Sequence, residues 1–309
     1  MNILVTGGAG FIGRWLVKKL LEEGNQVWVL DNLSNGRESN IEEFKANPLF
    51  KGLTIGDIKH IDCLESIFEN KFELCFHLAA GINVQDSIDN PKKLFEDDVI
   101  GTFNVLEQCK KHWCKMVFMS TCMVFERAVE KISETHPTKP ASPYAGAKLA
   151  GENMVLSYWH AYKLPTLVIR PFNTYGPLQK TNSEGGVVSI FIQKNLKGEN
   201  LNIYGDGTQT RDLLYVEDCV DFIVKAGFSD EANGQIINAG SGRDIAINEL
   251  AALICKQPEK IKHVPHIHPQ SEILKLLCDS SKANELLKWY PKISLEEGIK
   301  RTEEWLKSI

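Results

Sequence analysis

The clearest indication of the fold is the segment Ile3-Leu4-Val5-Thr6-Gly7-Gly8-Ala9-Gly10-Phe11-Ile12-Gly13. Its first three residues form a short apolar run typical of a buried strand, and the glycines follow at once. Gly8, Gly10 and Gly13 satisfy the pattern GxGxxG, in which glycines permit a tight turn and let the backbone approach a pyrophosphate. An amphipathic run over 12–20 follows, so the pyrophosphate would lie at a helix N-terminus. The stretch therefore predicts a strand, a turn and a helix that bind a dinucleotide.

Asp31 stands at the end of the second predicted strand, 26–30, and 18 residues after Gly13. The interval is close to the roughly 20 residues that separate the last glycine from the ribose-binding carboxylate in dinucleotide-binding folds. A carboxylate there accepts hydrogen bonds from the adenosine ribose and repels a 2′-phosphate. The sequence therefore predicts NAD rather than NADP.

Strand-like and helical segments alternate over the first half of the chain, which predicts a doubly wound parallel sheet of the Rossmann type. From about residue 178 the pattern changes to glycine-punctuated loops with short strands and helices, which indicates a smaller C-terminal α/β substrate lobe. We expect an NAD-binding domain over 1–177, rejoined by segments near 212–240, and a mainly substrate-binding lobe over 178–309. The further strands are predicted at 53–55, 74–78, 116–119 and 167–169, with helices near 62–70, 91–112 and 144–163.

Composition excludes several classes of protein. The chain has 309 residues, 43% of them apolar and 24% charged, with a net charge of −5 and no basic stripe, so we expect no nucleic-acid partner. No run approaches the roughly 18 apolar residues of a membrane span, and the N-terminus enters a strand directly, so a cytoplasmic location is expected. Eight scattered cysteines show no metal-ligand spacing, and His263, His266 and His268 are interpreted as a solvated loop, so no metal is expected.

A second motif is Ser142-Pro143-Tyr144-Ala145-Gly146-Ala147-Lys148. Ser142 is a plausible N-cap and Pro143 suits the first helical position. Tyr144 and Lys148 are four residues apart, so they share one helical face. The lysine is expected to lower the pKa of the phenol. The phenolate could then take the proton of a sugar hydroxyl beside a bound nicotinamide.

These residues, with later ones in the same order, resemble the extended short-chain dehydrogenase/reductase family, which comprises NAD-dependent nucleotide-sugar epimerases and dehydratases. The resemblance covers the chain from residue 3 to about 280. The matching segments are Thr6 to Gly13, Asp31, Gly56-Asp57-Ile58, His77-Leu78-Ala79-Ala80, Ser120-Thr121, Tyr144-x-x-x-Lys148, Arg170-Pro171-Phe172-Asn173-Thr174-Tyr175-Gly176-Pro177 and Gly205-Asp206-Gly207-x-x-x-Arg211-Asp212.

The resemblance implies roles for individual residues. It also implies a homodimer formed through the helices near 94–112 and 144–163, and a nucleotide-sugar substrate, most commonly UDP-linked. The implied catalytic residues are Thr121, Tyr144 and Lys148, to which Cys122 is added below. The implied NAD-binding residues are Gly7, Gly10, Phe11, Ile12, Gly13, Asp31, Asn32, Asp57, Ile58, Leu78, Ala79, Ala80, Tyr144 and Lys148. The implied substrate-binding residues are Thr121, Asn173, Val188 and Arg211.

Two positions depart from the family pattern. Asp98 stands where members usually carry asparagine before a valine. The region 269–272 lacks a second arginine for the substrate diphosphate, and Lys275 is the nearby cation that could replace it.

The outcome of the reaction stays open at this point. Family members that eliminate water place an acidic pair after the threonine, but here Cys122 and Met123 follow, and methionine has no exchangeable proton. A 4-epimerase needs no such pair. Alternatively, Cys122 donates a proton at C5 of a 5,6-unsaturated sugar and gives a 4-keto-6-deoxy product, or a dehydratase uses Glu126 or Glu134 as its base. A non-catalytic dinucleotide sensor is the remaining alternative.

Overall fold

The computed structural model describes residues 1–181, 186–266 and 269–309. Seven parallel strands form its central sheet, which confirms the predicted Rossmann-type fold. The strands are β1 (Asn2–Thr6), β2 (Gln26–Asp31), β3 (Phe50–Ile55), β4 (Leu74–His77), β5 (Lys115–Met119), β6 (Thr166–Pro171), β7 (Asn173–Tyr175), β8 (Leu201–Tyr204), β9 (Thr210–Tyr215), β10 (Ile236–Ala239), β11 (Asp244–Ala246), β12 (Ile261–Val264) and β13 (Lys275–Leu276).

The order of strands in the central sheet is β10-β6-β5-β4-β1-β2-β3. The chain reverses direction across the sheet between β1 and β4, and this switch point brings loops after several strands to one edge. The helices are α1 (Phe11–Glu22), α2 (Ile61–Phe68), α3 (Val84–Asp89), α4 (Pro91–Leu94), α5 (Gly101–His112), α6 (Pro143–Tyr162), α7 (Val187–Leu196), α8 (Val216–Phe228), α9 (Ile247–Ile254), α10 (Ser281–Leu287) and α11 (Leu295–Ser308).

Two apolar layers cover the faces of the sheet. Side chains alternate along each strand, so Ile3 and Val5 point into one layer with α1 and α8, whereas Leu4 points into the other. The second layer is built on α2, α5 and α6 and includes Phe68 and Val155. This burial on both faces explains why the strands read as continuous apolar runs in the sequence.

The predicted single helix over 91–112 is divided in the structure. A π-helical turn, Phe95–Ile100, separates α4 from α5. The turn contains Asp98, whose carboxylate accepts a hydrogen bond from the backbone N–H of Gly81 at 2.6 Å. π-helical turns occur frequently at functional sites.

The second half of the chain builds two small sheets, β11-β9-β13 with β7 paired to β9, and β12-β8. An apolar cluster that includes Phe191, Tyr215 and Leu250 packs beneath them. Strand β10 returns the chain to the central sheet beside β6. The predicted domain division at residue 177 stays a prediction. Within the described ranges, no helix is both long and apolar enough to span a bilayer.

Candidate active site

A cleft of about 1370 Å³ lies at the carboxyl ends of the central strands. It brings together almost all of the residues that the sequence singled out. Those lining it are Gly7, Gly10, Phe11, Ile12, Gly13, Asp31, Asn32, Asp57, Ile58, Leu78, Ala79, Ala80, Thr121, Cys122, Tyr144, Lys148 and Asn173.

The glycine-rich turn fits a pyrophosphate at the start of α1. Gly7 has φ +73°, and a Cβ there would lie 2.7 Å from the backbone nitrogen of Ala79. A Cβ on Gly13 would lie 2.1 Å from the carbonyl oxygen of Gly7. The N-cap, Gly10, has no side chain to cover the first N–H groups of the helix. These groups therefore face the cleft, where they can bind an anion.

Asp31 is held in place by the backbone of the same turn. Its Oδ2 accepts a hydrogen bond from Ala9 N–H at 3.0 Å, and its Oδ1 accepts one from Leu33 N–H at 2.8 Å. Burial raises the pKa of this carboxyl, while the bonds from Leu33 and Ala9 act in the opposite direction. The oriented carboxylate suits a ribose with free hydroxyls. Nearby, Asn32 donates a hydrogen bond to Asp57 at 3.0 Å.

Helix α6 positions Tyr144 and Lys148. The Ser142 hydroxyl caps the helix by accepting from Ala145 N–H at 3.2 Å, as the sequence predicted. Lys148 is 5% exposed, and its ammonium donates to the carbonyl oxygen of Met119 at 3.1 Å. The lysine is therefore fixed on the floor of the cleft.

The expected lowering of the Tyr144 pKa is wrong for this structure. Burial raises the pKa of the phenol, the negative charge of Asp98 raises it further, and the Thr121 hydroxyl acts in the opposite direction. Burial also lowers the pKa of Lys148, whereas Asp98 raises it. The sequence could not show this, because the spacing of two residues on a helix carries no information on their burial.

Cys122 follows Thr121 and begins a 3₁₀ turn, Cys122–Val124. The Thr121 hydroxyl caps this turn by accepting a hydrogen bond from the backbone N–H of Met123 at 3.2 Å. The thiol is 2% exposed. Burial raises its pKa to about 12, Arg211 lowers it and Asp212 raises it. The thiol is therefore protonated at neutral pH.

The sequence reading missed a buried ion pair below the cleft. Glu152 lies on the same helical face as Tyr144 and Lys148 and binds both Nε (2.8 Å) and Nη2 of Arg170. The Ser120 hydroxyl donates to the same carboxylate. The four-residue spacing from Lys148 to Glu152 was the available signal.

Two predicted substrate-binding residues do not line the cleft. The side chain of Val188 is fully buried in the apolar cluster beneath the small sheets. Arg211 donates to the carbonyl oxygen of Ile273 at 2.9 Å and pairs with Glu272. Arg211 nevertheless lies close enough to Cys122 to influence its thiol. Their roles in substrate binding stay predictions.

The histidine-rich segment forms no metal cluster among the residues described. His263 contacts the Asn248 side-chain oxygen at 3.0 Å, and His266 contacts Glu272 at 2.8 Å. His268 lies outside the described residues.

Comparison with known proteins identifies the family. The family described as GDP-mannose 4,6-dehydratase matches residues 4–302. The chain belongs to this NAD-dependent epimerase/dehydratase family. The family lies within the extended short-chain dehydrogenases/reductases, as the motifs predicted, and it confirms NAD as the predicted cofactor.

Three similar proteins illustrate the range of relatives of this extended short-chain dehydrogenase/reductase. The crystal structure of Pal from Bacillus thuringiensis is 63% identical, with a TM-score of 0.98, covering 100% of this chain and 99% of that one. The UDP-glucose 4-epimerase of Mycolicibacterium smegmatis is 36% identical over 316 residues, covering 100% of this chain and 99% of that protein. Thermus thermophilus UDP-glucose 4-epimerase in complex with NAD is 32% identical, with a TM-score of 0.90 and 99% of each chain covered.

Proposed function

We propose that this protein oxidises C4 of a UDP-linked hexose or aminohexose and that the reduction of its NAD is transient. The observation that carries the proposal is the meeting of Thr121, Tyr144 and Lys148 in one cleft with the glycine-rich turn. NAD, when bound, supplies the acceptor for the hydrogen of C4 and returns that hydrogen to the sugar. A UDP-sugar is inferred because relatives of this chain are UDP-glucose 4-epimerases.

The residues of the chain divide the remaining tasks. The N–H groups at the start of α1 hold the cofactor pyrophosphate, and Asp31 orients its ribose. Thr121 donates or accepts a hydrogen bond at the 4-hydroxyl, and Tyr144 takes the hydroxyl proton. Lys148 is proposed to offset part of the effect of burial and of Asp98, both of which raise the pKa of the Tyr144 phenol. Asn173 and Arg211 are proposed to contact the substrate diphosphate, for which the guanidinium fork of arginine is suited.

For the steps that follow C4 oxidation, the described part of the chain places the Cys122 thiol in the cleft but neither of the two carboxylates that the sequence suggested as a base. The two carboxylates considered from the sequence do not line the cleft: Glu126 pairs with Lys139 at 3.0 Å, and Glu134 accepts from Asn238 N–H at 2.7 Å. Cys122 does line it, and its thiol is protonated. This favours proton donation over elimination of water.

We therefore propose a substrate that already carries a 5,6-double bond. The hydrogen removed from C4 is added at C6, the C4–O bond becomes double and the C5–C6 bond becomes single. The proton that Tyr144 takes from the 4-hydroxyl balances the proton that Cys122 gives to C5. The net reaction is an isomerisation to a 4-keto-6-deoxy sugar.

The experiment follows UDP- and GDP-hexoses, UDP-N-acetylhexosamines and their 5,6-unsaturated forms by NMR and mass spectrometry in D₂O. We expect one deuterium at C5 of the product, and transfer of a C4 deuterium label to C6. Cys122→Ser and Cys122→Ala should lose turnover, whereas Cys255→Ser, a change at another buried thiol, should retain it. Full turnover of Cys122→Ser with deuterium still entering C5 would contradict the role of Cys122.

A simple UDP-hexose 4-epimerase is the second candidate, favoured by the two relatives that are UDP-glucose 4-epimerases. In that case the ketone turns over in the site, and Met123 merely packs against the apolar cluster beside Cys122. Inversion at C4 without change of mass and without deuterium at C5 would establish it. Dinucleotide binding with no reaction of any sugar nucleotide would instead indicate a sensor.

We also infer a homodimer and a cytoplasmic location. The dimer is supported by exposed apolar side chains on the predicted interface helices, Phe103 on α5 and Tyr162 on α6. Phe103→Glu should yield monomers by sedimentation equilibrium, whereas Val129→Glu, at an exposed residue elsewhere, should not. An unchanged mass for both variants would refute this interface.

A further inference from the structure

Asp98 is a buried carboxylate that forms no ion pair with any residue the structure describes. It is 2% exposed and lies in the π-helical turn Phe95–Ile100. One oxygen accepts the hydrogen bond from Gly81 N–H, while Oδ2 is buried and has no hydrogen-bond partner within the ranges that the structure describes. A buried carboxylate in such a place is costly unless a positive charge compensates it.

The charged groups that face Asp98 are Lys148 from α6, Lys93 from α4 and its own neighbour Asp97. Lys93 pairs with Asp97 at 2.6 Å and is mostly exposed, so its charge is already matched and screened. Lys148 is buried like Asp98 itself. Burial raises the pKa of Asp98, and the positive charge of Lys148 is the strongest influence in the opposite direction, so Lys148 is the cation that favours the ionised form of Asp98.

Lys148 in turn faces two carboxylates, Asp98 and Glu152. Glu152 is already bound to the guanidinium of Arg170 and to the Ser120 hydroxyl. The nearby imidazole of His77 adds no charge, because burial lowers its pKa to about 3. Asp98 is thus the carboxylate left to balance the ammonium.

We propose that Asp98 is the counter-charge of Lys148 and sets how readily the phenol of Tyr144 ionises. It acts through the two catalytic side chains as a positioning residue. The other groups that face Tyr144 are the Thr121 hydroxyl and the protonated thiol of Cys122, so Asp98 brings the negative charge. The proposal rests on Tyr144 being the base of the proposed function.

The test is an ultraviolet titration of the phenolate in NAD-bound protein without sugar, with the Tyr144→Phe spectrum subtracted. Asp98→Asn keeps an oxygen for the N–H of Gly81 and removes the charge. We expect the Tyr144 midpoint to fall by about one pH unit, because loss of a nearby like charge favours the phenolate. In the pH dependence of turnover, the midpoint of the acidic limb should also move to lower pH.

Glu96→Gln is the matched control, since Glu96 lies in the same turn but is exposed and only 3.9 Å from Lys92; its Tyr144 midpoint should stay unchanged. Asp98→Ser provides a second uncharged variant. An unshifted midpoint in both Asp98 variants, or failure of both to fold and bind NAD, would overturn the proposal and leave Asp98 a structural role. The titration needs no sugar, so it tests the effect of Asp98 independently of the proposed reaction. The proposed reaction is tested separately: if Tyr144→Phe kept full turnover, Tyr144 would not be the base.

Discussion

Glu152→Leu is the substitution for which the structure makes the sharpest prediction of stability. The Glu152 and Arg170 side chains are 1% and 2% exposed. Nη1 of Arg170 already has no partner within the described residues, so Nε and Nη2, both bound to Glu152, carry the whole compensation of its charge. Removing the carboxylate leaves a buried, unpaired guanidinium and removes the acceptor to which the Ser120 hydroxyl donates.

The expected cost is about 4 kcal/mol of unfolding free energy, in the range of about 3–5 kcal/mol for breaking one partner of a buried pair. The assay is urea unfolding followed by tryptophan fluorescence. The double variant Glu152→Leu with Arg170→Met should recover most of the loss, because two apolar side chains can replace a buried ion pair at little cost.

A surface pair provides the comparison. Glu303 and Lys307 on α11 lie 2.7 Å apart but are 36% and 57% exposed. Glu303→Ala should cost less than about 1 kcal/mol. A cost for Glu152→Leu no larger than that for Glu303→Ala, or a double variant as unstable as the single one, would show that the buried pair does not stabilise the fold in this way.

Three further predictions follow from the geometry. Gly13→Ala should abolish NAD binding measured by calorimetry, because its Cβ would meet the Gly7 carbonyl oxygen at 2.1 Å; Gly146→Ala, with open space around it, should bind NAD normally. Cys122 should resist alkylation by iodoacetamide between pH 6 and 9, because burial raises its pKa to about 12. The partly exposed Cys63 should be alkylated first. Rapid alkylation of Cys122, detected by mass spectrometry, would contradict this prediction. Burial lowers the pKa of His77 to about 3, below its unfolded value, so its contribution to stability is complete above pH 6.5 and is lost as pH falls, by about 2 kcal/mol at pH 5. His77→Asn should reduce that pH dependence in urea unfolding, and an equal dependence in both proteins would exclude the assignment.

The surroundings of Tyr144 and Lys148 in the structure change what the motifs alone suggest. From the sequence, Lys148 is a cation that makes Tyr144 more acidic. In the structure, burial and Asp98 oppose that effect, and the lysine contacts the Met119 carbonyl oxygen. Asp98, which stands where family members usually carry asparagine, is a carboxylate whose charge raises the pKa of the Tyr144 phenol.

The features of this protein that depend on neighbours along the chain could be predicted from the sequence. The turn from Gly7 to Gly13, the carboxylate of Asp31 and the helix that carries Tyr144 and Lys148 each follow from local backbone chemistry and side-chain period. Their order along the chain was sufficient to predict the sheet and NAD.

Tertiary structure alone decided how these groups are charged and paired. Glu152 meets Arg170 from another element, and Asp98 meets Gly81 across a loop. Arg211 is turned toward Glu272 rather than into the lining of the cleft. Charge, pKa and pairing depend on burial and on residues far apart in the chain, because desolvation and Coulomb interactions act through space. The spacing of residues in the sequence therefore does not predict them.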